Sequence, residues 1–412
     1  MNTILNTPLQ VGNTQFANRM VIQPMEGCDG TEDGNISEWT RRRYLRFARA
    51  GVALIWFEAT AVCPEGRANP RQLWLTESNV DDYRALLDEM RRVAIAEHGF
   101  APQIYMQMTH SGRQSRPVDV PRPVYAWDNP YLESVRPLPS QAVYADTAYL
   151  AELPKQFVHA ALLAQQAGFD GVDVKCCHGY LFNELMSAYG RQDAYGGQSL
   201  DNRARLYLDT YRAVSEAVGD TMRVTSRFGV YDGFEYPYGF GVNAAGQEDL
   251  SEAFRVIESL RGMGLDMLNV TIGNPYVNPH VNRPYRGAES PESPQVGIAR
   301  VRRITAQIQQ RFPDLAVIMS AMTCNGADSM QEAEACIESE QCKMVGYGRM
   351  AFAYPQFFVD YLATGKIDPK KVCIACGNCS KMMRAGGIAG CPVRDTQAYL
   401  PLWKELFPTK QK

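Results

Sequence analysis

Short apolar runs alternate with longer amphipathic stretches along most of the chain, and this alternation restricts the possible folds more than any other feature. The apolar runs have the length and composition of buried strands, and they lie at residues 20–23, 52–58, 103–108, 171–176, 223–228, 266–271, 316–320 and 344–348. A stretch with helical periodicity follows each run, from 38–50 after the first to 356–364 after the eighth. Eight strand–helix units predict an α/β fold whose parallel strands close into a (β/α)8 TIM barrel.

A doubly wound open sheet is the main alternative, but no G-x-G-x-x-G motif follows the first strand. We therefore expect residues 1–366 to form the barrel and residues 367–412 to form a C-terminal extension. A segment at 111–147 interrupts the barrel pattern, is rich in proline and tyrosine, and shows no helical period. Insertions of this length in compact domains usually serve as lids, substrate walls or oligomer contacts, so a homo-oligomer is one expectation.

Charge and hydropathy argue against nucleic acid and membranes as partners. The formal net charge is −3, so the chain has no basic excess that would attract nucleic acid or an acidic lipid surface. The first twenty residues lack the apolar core of a signal peptide, and no apolar run is long enough to cross a bilayer. We expect a cytoplasmic protein.

Four cysteines near the C-terminus predict a metal centre in the extension. Cys373, Cys376 and Cys379 have C-x2-C-x2-C spacing, and Cys391 follows after eleven residues, directly before a proline. Bacterial ferredoxins use the same first three spacings and the same Cys-Pro ending to bind iron–sulfur clusters. Zinc is the main rival, but zinc sites usually present two separate cysteine pairs. We therefore predict that all four thiolates bind one [4Fe–4S] cluster.

The ends of the predicted strands indicate a second cofactor. In a TIM barrel the reactive residues lie at the C-terminal ends of the strands, and phosphate sites follow the seventh and eighth. Here those ends read Ser320-Ala321-Met322 and Gly346-Tyr347-Gly348-Arg349. Small residues let backbone N–H groups approach an anion, and an arginine adds paired hydrogen bonds. The sequence predicts a phosphate-bearing cofactor at the barrel mouth.

The stretch KCCHGYLFNELMSAYGRQDAYGGQSLDNRARL resembles the fourth strand and following loop of the Old Yellow Enzyme family. The nearest branch is the iron–sulfur branch that contains 2,4-dienoyl-CoA reductase and trimethylamine dehydrogenase. The resemblance extends from about residue 5 to 392 and includes VIQPM, EATAV, QMTHSGR and VGYGRMAFAYP, and its most specific part is R-x-D-x-Y-G-G-x4-N-R. It implies FMN at the barrel mouth, a [4Fe–4S] cluster beside it, and NADH or NADPH as electron donor.

The resemblance also implies catalytic roles. Tyr180 matches the family's proton donor to the substrate α-carbon, and His178 and Lys175 match the two positions that bind the substrate's carbonyl oxygen. Lys175 departs from the family, which commonly has histidine or asparagine there. Its ammonium group has three candidate positions: at the substrate oxygen, at the flavin N1–C2=O edge, or against a carboxylate, in which case His178 acts alone.

The residues that match the family's flavin contacts come from six strand ends. They are Pro24, Met25 and Ala59 along the isoalloxazine, Gln107 at the pyrimidine ring, Arg227 near N1, and Gly348 and Arg349 at the phosphate with backbone help from Ala321 and Met322. Glu26 is a second departure. An ionised carboxylate beside the flavin would disfavour flavin reduction, so we expect its side chain to point to solvent. A second acid is expected beyond strand six, with Tyr276 and His280 as equal candidates.

These matches predict an FMN-dependent ene-reductase. Reduced FMN would deliver hydride from N5 to the β-carbon of an enone, and Tyr180 would protonate the α-carbon. The tyrosines and prolines of the insertion suggest a polycyclic or aromatic enone, such as a flavonoid or a steroid. Oxidative N-demethylation and a flavin/iron–sulfur electron carrier are the alternatives. Larger relatives continue into an FAD and NAD(P)H module, so a separate electron-donor protein is one expected partner and direct reduction by NAD(P)H is the other route.

Overall fold

Eight parallel strands close into a barrel in the computed structural model, which describes residues 2–287 and 289–408. The strands in chain order are β1 (Leu9–Val11), β2 (Thr14–Phe16), β3 (Met20–Ile22), β4 (Leu54–Ala61), β5 (Gln103–Thr109), β6 (Val124–Tyr125), β7 (Val143–Tyr144), β8 (Gly171–Val174), β9 (Arg223–Gly229), β10 (Met267–Thr271), β11 (Ala316–Met319) and β12 (Met344–Tyr347). The barrel order is β3-β4-β5-β8-β9-β10-β11-β12, closed by pairing of β12 with β3. The predicted (β/α)8 barrel is confirmed.

Fifteen helices lie within the described residues, and most of them cover the outside of the barrel. They are α1 (Glu38–Ala48), α2 (Val80–His98), α3 (Pro130–Val135), α4 (Thr147–Ala167), α5 (Leu181–Met186), α6 (Leu200–Arg203), α7 (Arg205–Val218), α8 (Ser251–Arg261), α9 (Pro279–Asn282), α10 (Pro294–Arg311), α11 (Ser329–Glu338), α12 (Arg349–Ala353), α13 (Phe357–Thr364), α14 (Asn378–Arg384) and α15 (Thr396–Leu406).

The barrel interior is apolar at one end and polar at the other. Successive side chains of a strand point to opposite faces, and the inward apolar set forms one buried cluster: Val21, Leu54, Trp56, Tyr105, Met267, Ala316, Ile318 and Met344. Val11 and Phe16 of the β1–β2 hairpin join this cluster and close the N-terminal end of the barrel. The polar side chains are thereby confined to the C-terminal end, where the strands open into loops.

Two predicted segments contain more structure than the sequence indicates. Helix α4 begins at Thr147, eight residues before its periodic pattern, because the side chain of Asp146 accepts a hydrogen bond from Tyr149 N at 2.8 Å. The 111–147 insertion contains helix α3 and the paired strands β6 and β7. These elements are too short to produce a readable period, so tertiary contacts rather than local propensity define them.

The C-terminal extension packs on α1 and on the loop after β3. Arg42 donates two hydrogen bonds to the Asp395 carboxylate at 2.8 and 3.0 Å, and Arg46 contacts the same carboxylate. Ala389 N donates to Gly27 O at 2.7 Å. These contacts hold the cysteine-bearing segment beside the barrel mouth. Among the described helices, none has both the length and the apolarity needed to cross a bilayer.

Candidate active site

A cavity of about 1130 Å³ lies at the C-terminal mouth of the barrel. It brings together eleven of the twelve residues predicted for catalysis and flavin contact: Pro24, Met25, Ala59, Gln107, Lys175, His178, Tyr180, Arg227, Ala321, Gly348 and Arg349. The twelfth, Met322, packs its side chain into the core with no exposed surface. Cys379 of the predicted metal set also lines the cavity.

A buried carboxylate orients the polar side chains at the floor of the cavity. Asp173 on β8 accepts hydrogen bonds from Gln107 Nε2 at 2.6 Å, Trp56 Nε1 at 2.8 Å and Arg227 N at 2.7 Å. Burial raises the pKa of Asp173 to about 6. Because the Gln107 amide nitrogen is bound to Asp173, its amide oxygen is available to a ligand. Sequence reasoning missed Asp173, although a lone aspartate inside an apolar strand was the available signal.

Two buried cations face the same space. Arg227 is only 9% exposed, and its Nε has no hydrogen-bond partner within the described residues. Lys175 is 5% exposed, and its Nζ lies 3.7 Å from the centroid of the Tyr180 ring. Burial lowers the pKa of both groups. Buried cations are costly unless they are paired, so this wall of the cavity suits a ligand that carries negative charge.

Tyr180 forms a pair with a second tyrosine. The hydroxyl groups of Tyr180 and Tyr276 lie 3.2 Å apart. Burial raises the pKa of Tyr180 well above its usual value and that of Tyr276 to about 12, so both phenols keep their protons at neutral pH. Of the two candidates for a second acid, Tyr276 lines the cavity and His280 does not.

His178 is held at the cavity wall by an unusual backbone. Its φ is +67°, and that of Gly179 is +69°. A Cβ at position 179 would collide with the Asn274 side chain, so the turn requires glycine there. The His178 Nε2 lies 3.5 Å from Thr271 Oγ1. Burial, together with Arg227 and Lys175, lowers the pKa of His178 well below its usual value, so the ring is neutral and can donate one hydrogen bond.

The orientation of the Glu26 side chain differs from the one expected from the sequence. Its side chain was expected to point to solvent, but it lines the cavity and its Oε1 is buried without a hydrogen-bond partner in the described residues. Burial is the largest cause of a raised pKa, which nearby Lys175 partly opposes. Protonation removes the conflict between a carboxylate and a reduced flavin.

The opposite end of the cavity has the features of a phosphate cradle. Ala321 has a φ of +70°, which bends the chain after β11, and Gly348 follows β12. A Cβ at Gly348 would meet Met25 Sδ at 2.6 Å, so glycine keeps this space open. Arg349 is 9% exposed and donates to Pro284 O at 3.0 Å. Backbone N–H groups and a guanidinium therefore remain available to a phosphate.

The C-terminal segment that carries the four cysteines reaches the cavity through Cys379. All four are partly exposed, and no three of their sulfur atoms, as the described residues place them, lie within 4.8 Å of one another. Ala375 N donates to Cys373 Sγ at 3.4 Å, and Arg283 Nη1 donates to Ser380 Oγ at 2.8 Å, one residue after Cys379. The segment thus places thiols and cations together against the barrel mouth.

Cys63, Glu65 and His110 are the only three metal-ligating side chains among the described residues whose ligand atoms lie within 4.8 Å of one another. Their hydrogen bonds argue against a metal. Gly112 N donates to His110 Nδ1 at 3.1 Å, so the ring proton sits on Nε2, which lies 2.7 Å from the Tyr149 hydroxyl. That hydroxyl donates to Glu65 Oε1 at 3.1 Å. Both imidazole nitrogens of His110 already have hydrogen-bond partners, and the three residues stabilise a turn.

Sequence comparison identifies the family. The NADH:flavin oxidoreductase / NADH oxidase family matches residues 4–365. The chain belongs to this family. Membership confirms the family predicted from the sequence, which is one of NAD(P)H-dependent flavin oxidoreductases.

Individual relatives of this NADH:flavin oxidoreductase match only parts of it. NADH oxidase from Thermoanaerobacter brockii is 31% identical over 274 residues, which cover 64% of this chain and 38% of that protein. NADPH dehydrogenase from Geobacillus sp. (strain WCH70) is 35% identical over 224 residues, 52% of this chain and 61% of that protein. A solved complex of 2-naphthoyl-CoA reductase with 2-naphthoyl-CoA is similar in fold, with a TM-score of 0.75 at 19% identity over 98% of this chain and 58% of that chain.

Proposed function

We propose that this protein is an FMN-dependent ene-reductase that reduces the C=C bond of an α,β-unsaturated carbonyl compound. One observation carries the proposal. A protonated phenol, Tyr180, lies on the same cavity wall as two oxygen-binding groups, Lys175 and His178, and it faces the space between them and the predicted flavin contacts. An alkene reductase needs this combination of a proton donor and a binding site for a developing oxyanion.

The residues present fit FMN. Gln107 and Arg227 offer an acceptor oxygen and an unpaired cation to the polar edge of the flavin, and Gly348, Arg349 and the Ala321 backbone offer donors to its phosphate. The unpartnered Arg227 Nε supports this assignment, because a buried guanidinium without a partner is costly. Reduced FMN, when bound, would supply a hydride that carries both electrons of the reduction, which the protein side chains cannot supply themselves.

Substrate activation is assigned to His178 and Lys175. Negative charge develops on the carbonyl oxygen during reduction, and donors fixed at that position stabilise it. The ammonium group is buried and the neutral imidazole is half-buried, so the low local polarity strengthens their hydrogen bonds. Lys175 lies between Tyr180 and Arg227 with no carboxylate bound to it in the described structure. This position favours the oxyanion or flavin role over a structural ion pair.

Protonation of the α-carbon is assigned to Tyr180. The raised pKa keeps the phenol protonated until a carbanion forms beside it. The Tyr276 hydroxyl, 3.2 Å away, can donate a hydrogen bond to the phenolate that remains. Glu26, whose pKa is raised by burial, lies next to this pair and lines both the inner cavity and the outer opening. It can return a proton to Tyr180 after each turnover.

A [4Fe–4S] cluster bound by Cys373, Cys376, Cys379 and Cys391 completes the proposal. In a cubane each thiolate binds a different iron, so the four sulfurs surround the cluster without touching one another. Arg283 lies beside Cys379, and a fixed cation there would offset the negative charge of the cluster. The position of Cys379 on the cavity wall supports electron exchange with the flavin.

Separate measurement of the two half-reactions tests the proposed function. In Tyr180→Phe, we expect flavin reoxidation by an enone to slow by roughly 10²–10⁴-fold. Flavin reduction by NAD(P)H should stay within about threefold, because it needs no proton from Tyr180. Tyr144→Phe, a partly exposed tyrosine in the insertion, is the matched control and should leave both half-reactions unchanged. Normal enone reduction by Tyr180→Phe would contradict the assignment.

A further inference from the structure

A second cavity opens outward from the active site. It encloses about 2000 Å³ and is walled by the insertion, by the loop at residues 68–71 and by the C-terminal extension. It shares Glu26, Tyr276, Met383 and Arg384 with the inner cavity, so the two spaces are continuous. We call this second cavity the outer vestibule.

Arginines dominate the charge of the outer vestibule. Arg71 donates to Gly386 O at 2.7 Å, Arg116 to Asp119 O at 2.6 Å, and Arg384 to Pro275 O at 3.1 Å. Arg136 donates to the Gln114 side-chain oxygen. Each partner is a neutral oxygen, so these four positive charges remain uncompensated within the described residues. A fifth arginine on the wall, Arg113, is neutralised by Glu184 at 2.7 Å and is structural.

The acidic residues of the vestibule do not cancel this charge. Glu32 and Asp119 line it, and Glu26 is the third carboxyl group. Burial raises the pKa of Glu26, which favours its neutral form. Elsewhere on the surface, arginines such as Arg41 and Arg49 contact glutamates. The vestibule therefore gathers on the wall of one cavity four guanidinium groups that contact no carboxylate in the described residues.

The arginines are connected to the proton donor. The Arg136 guanidinium lies 5.6 Å from the centroid of the Tyr276 ring, and the Tyr276 hydroxyl lies 3.2 Å from that of Tyr180. A ligand with its reducible bond against Tyr180 therefore extends past Tyr276 into the arginine-lined space. Guanidinium groups bind carboxylate and phosphate oxygens in pairs.

We propose that the alkene substrate carries an anionic carboxylate or phosphate group, and that Arg116, Arg136, Arg71 and Arg384 bind it in the outer vestibule. This inference rests on the proposed ene-reductase function. NADH and NADPH also carry phosphates. The vestibule, however, joins the inner cavity at the Tyr180–Tyr276 pair. A proton donor is needed for reduction of the alkene and not for hydride transfer from the nicotinamide. The substrate is thus the favoured source of the anion.

A matched series of enones tests the proposal: 4-phenylbut-3-en-2-one and its para-carboxylate and para-phosphate derivatives. With the holoenzyme, we expect KM for at least one charged member to be tenfold or more below that of the neutral member, with a difference that shrinks in high salt. The two derivatives distinguish a carboxylate from a phosphate ligand. Arg116→Gln and Arg136→Gln should each reduce the ratio of the neutral enone's KM to the charged enone's KM at least threefold. Arg92→Gln, on the exposed face of α2, should leave it unchanged.

The outcomes separate this inference from the proposed function. If the holoenzyme reduces none of the three enones, the ene-reductase function itself fails. If it reduces the neutral enone and shows no preference for either charged member, the vestibule proposal is overturned. The proposal is also overturned if both arginine variants slow flavin reduction by NADPH and keep the substrate preference, because the vestibule would then bind the dinucleotide.

Binding of inorganic diphosphate to the oxidised enzyme, measured by calorimetry, gives a readout without turnover and should weaken in both variants.

Discussion

Arg43 shows how a single buried side chain can shape the loop at the active site. It donates to Asp29 Oδ2 and Oδ1, both at 2.8 Å, contacts Glu58, and donates to Met25 O at 3.2 Å. Glu58 in turn accepts from Gly27 N at 2.9 Å. One guanidinium thereby holds two carboxylates and the backbone that carries Met25. Removal of one member of such a buried network leaves uncompensated charges.

Arg43→Met keeps the length of the side chain and removes its charge, and we expect it to lower the free energy of unfolding by about 3–5 kcal/mol. Arg41→Met on the same helix is the control, because the Arg41–Glu89 pair is partly exposed and should contribute only about 0–1 kcal/mol. Urea unfolding followed by circular dichroism measures both variants. Equal stabilities of the two variants would contradict the role given to Arg43.

The site residues that could be predicted from the sequence are those that lie in a specific sequence motif. The motif after β8 locates Tyr180, His178 and Lys175, and all three line the cavity. Asp173 and the Arg43 network were not predicted, because their partners lie on other strands and helices and no local pattern pairs them. The orientation of Glu26 was wrong for a related reason, since a side chain's direction depends on neighbours that the sequence does not place.

At the scale of elements, loops after different strands are joined by buried polar contacts. Asp232 follows β9, accepts from Phe240 N at 2.9 Å, and lies 3.3 Å from Asn183 Nδ2 on α5. Its own carbonyl accepts from Asn278 Nδ2 at 2.8 Å, beyond β10. Burial raises the pKa of Asp232 to about 6. Asp232 therefore joins three loops of the active-site face, two through its carboxyl group and the third through its backbone carbonyl.

The raised pKa of Asp232 predicts how the stability of the fold changes with pH. Between the unfolded pKa of about 4 and the folded value of about 6, the folded state binds more protons, so stability falls as the pH rises through this window. We expect the unfolding free energy of the wild type, relative to that of Asp232→Asn, to fall by up to about 3 kcal/mol from pH 4 to pH 7. Urea unfolding at several pH values measures this difference. A difference that is flat or that rises with pH would refute the assignment.

One carboxylate attaches the last helix of the C-terminal extension to α1. Asp395 lies at the start of α15 and binds Arg42 and Arg46 of α1. Asp395→Asn keeps the size of the side chain and removes its charge, and we expect hydrogen exchange of the α15 amides to accelerate roughly tenfold or more. Asp209→Asn, which removes an exposed pair with Arg212 on α7, should leave the extension protected. Unchanged exchange in Asp395→Asn would show that packing alone attaches the extension.

Elements with a strong hydrophobic period were predicted well, and short ones were not. All eight barrel strands lie within three residues of their predicted bounds, because buried strands produce continuous apolar runs. Helices α14 and α15 were missed: α14 has seven residues among glycines, and α15 contains Pro401. Helix α15 is attached to α1 through Asp395, and α14 contacts the loop after β10 through Ser380 and Arg384. A local window of sequence does not contain those contacts.

For the whole molecule, the cavity at the barrel mouth is the point where the strands meet. Its predicted cofactor contacts come from the ends of β3, β4, β5, β9, β11 and β12, which are distributed around the closed ring. A ligand that touches so many strands binds only the closed barrel. Binding to the folded state alone stabilises it in proportion to the logarithm of ligand concentration over Kd.

Removal of FMN should therefore weaken the whole barrel. At a hundredfold excess over Kd, FMN should stabilise the fold by about 2.7 kcal/mol, so the deflavinated protein should unfold a few °C lower. Riboflavin at the same concentration should restore less stability than FMN, because it lacks the phosphate that the Ala321 turn, Gly348 and Arg349 are placed to bind. In Arg349→Met, the advantage of FMN over riboflavin should shrink by at least half. Differential scanning calorimetry measures the unfolding of each protein without flavin, with riboflavin and with FMN. Equal stabilisation of the wild type by riboflavin and FMN would show that the phosphate lies elsewhere.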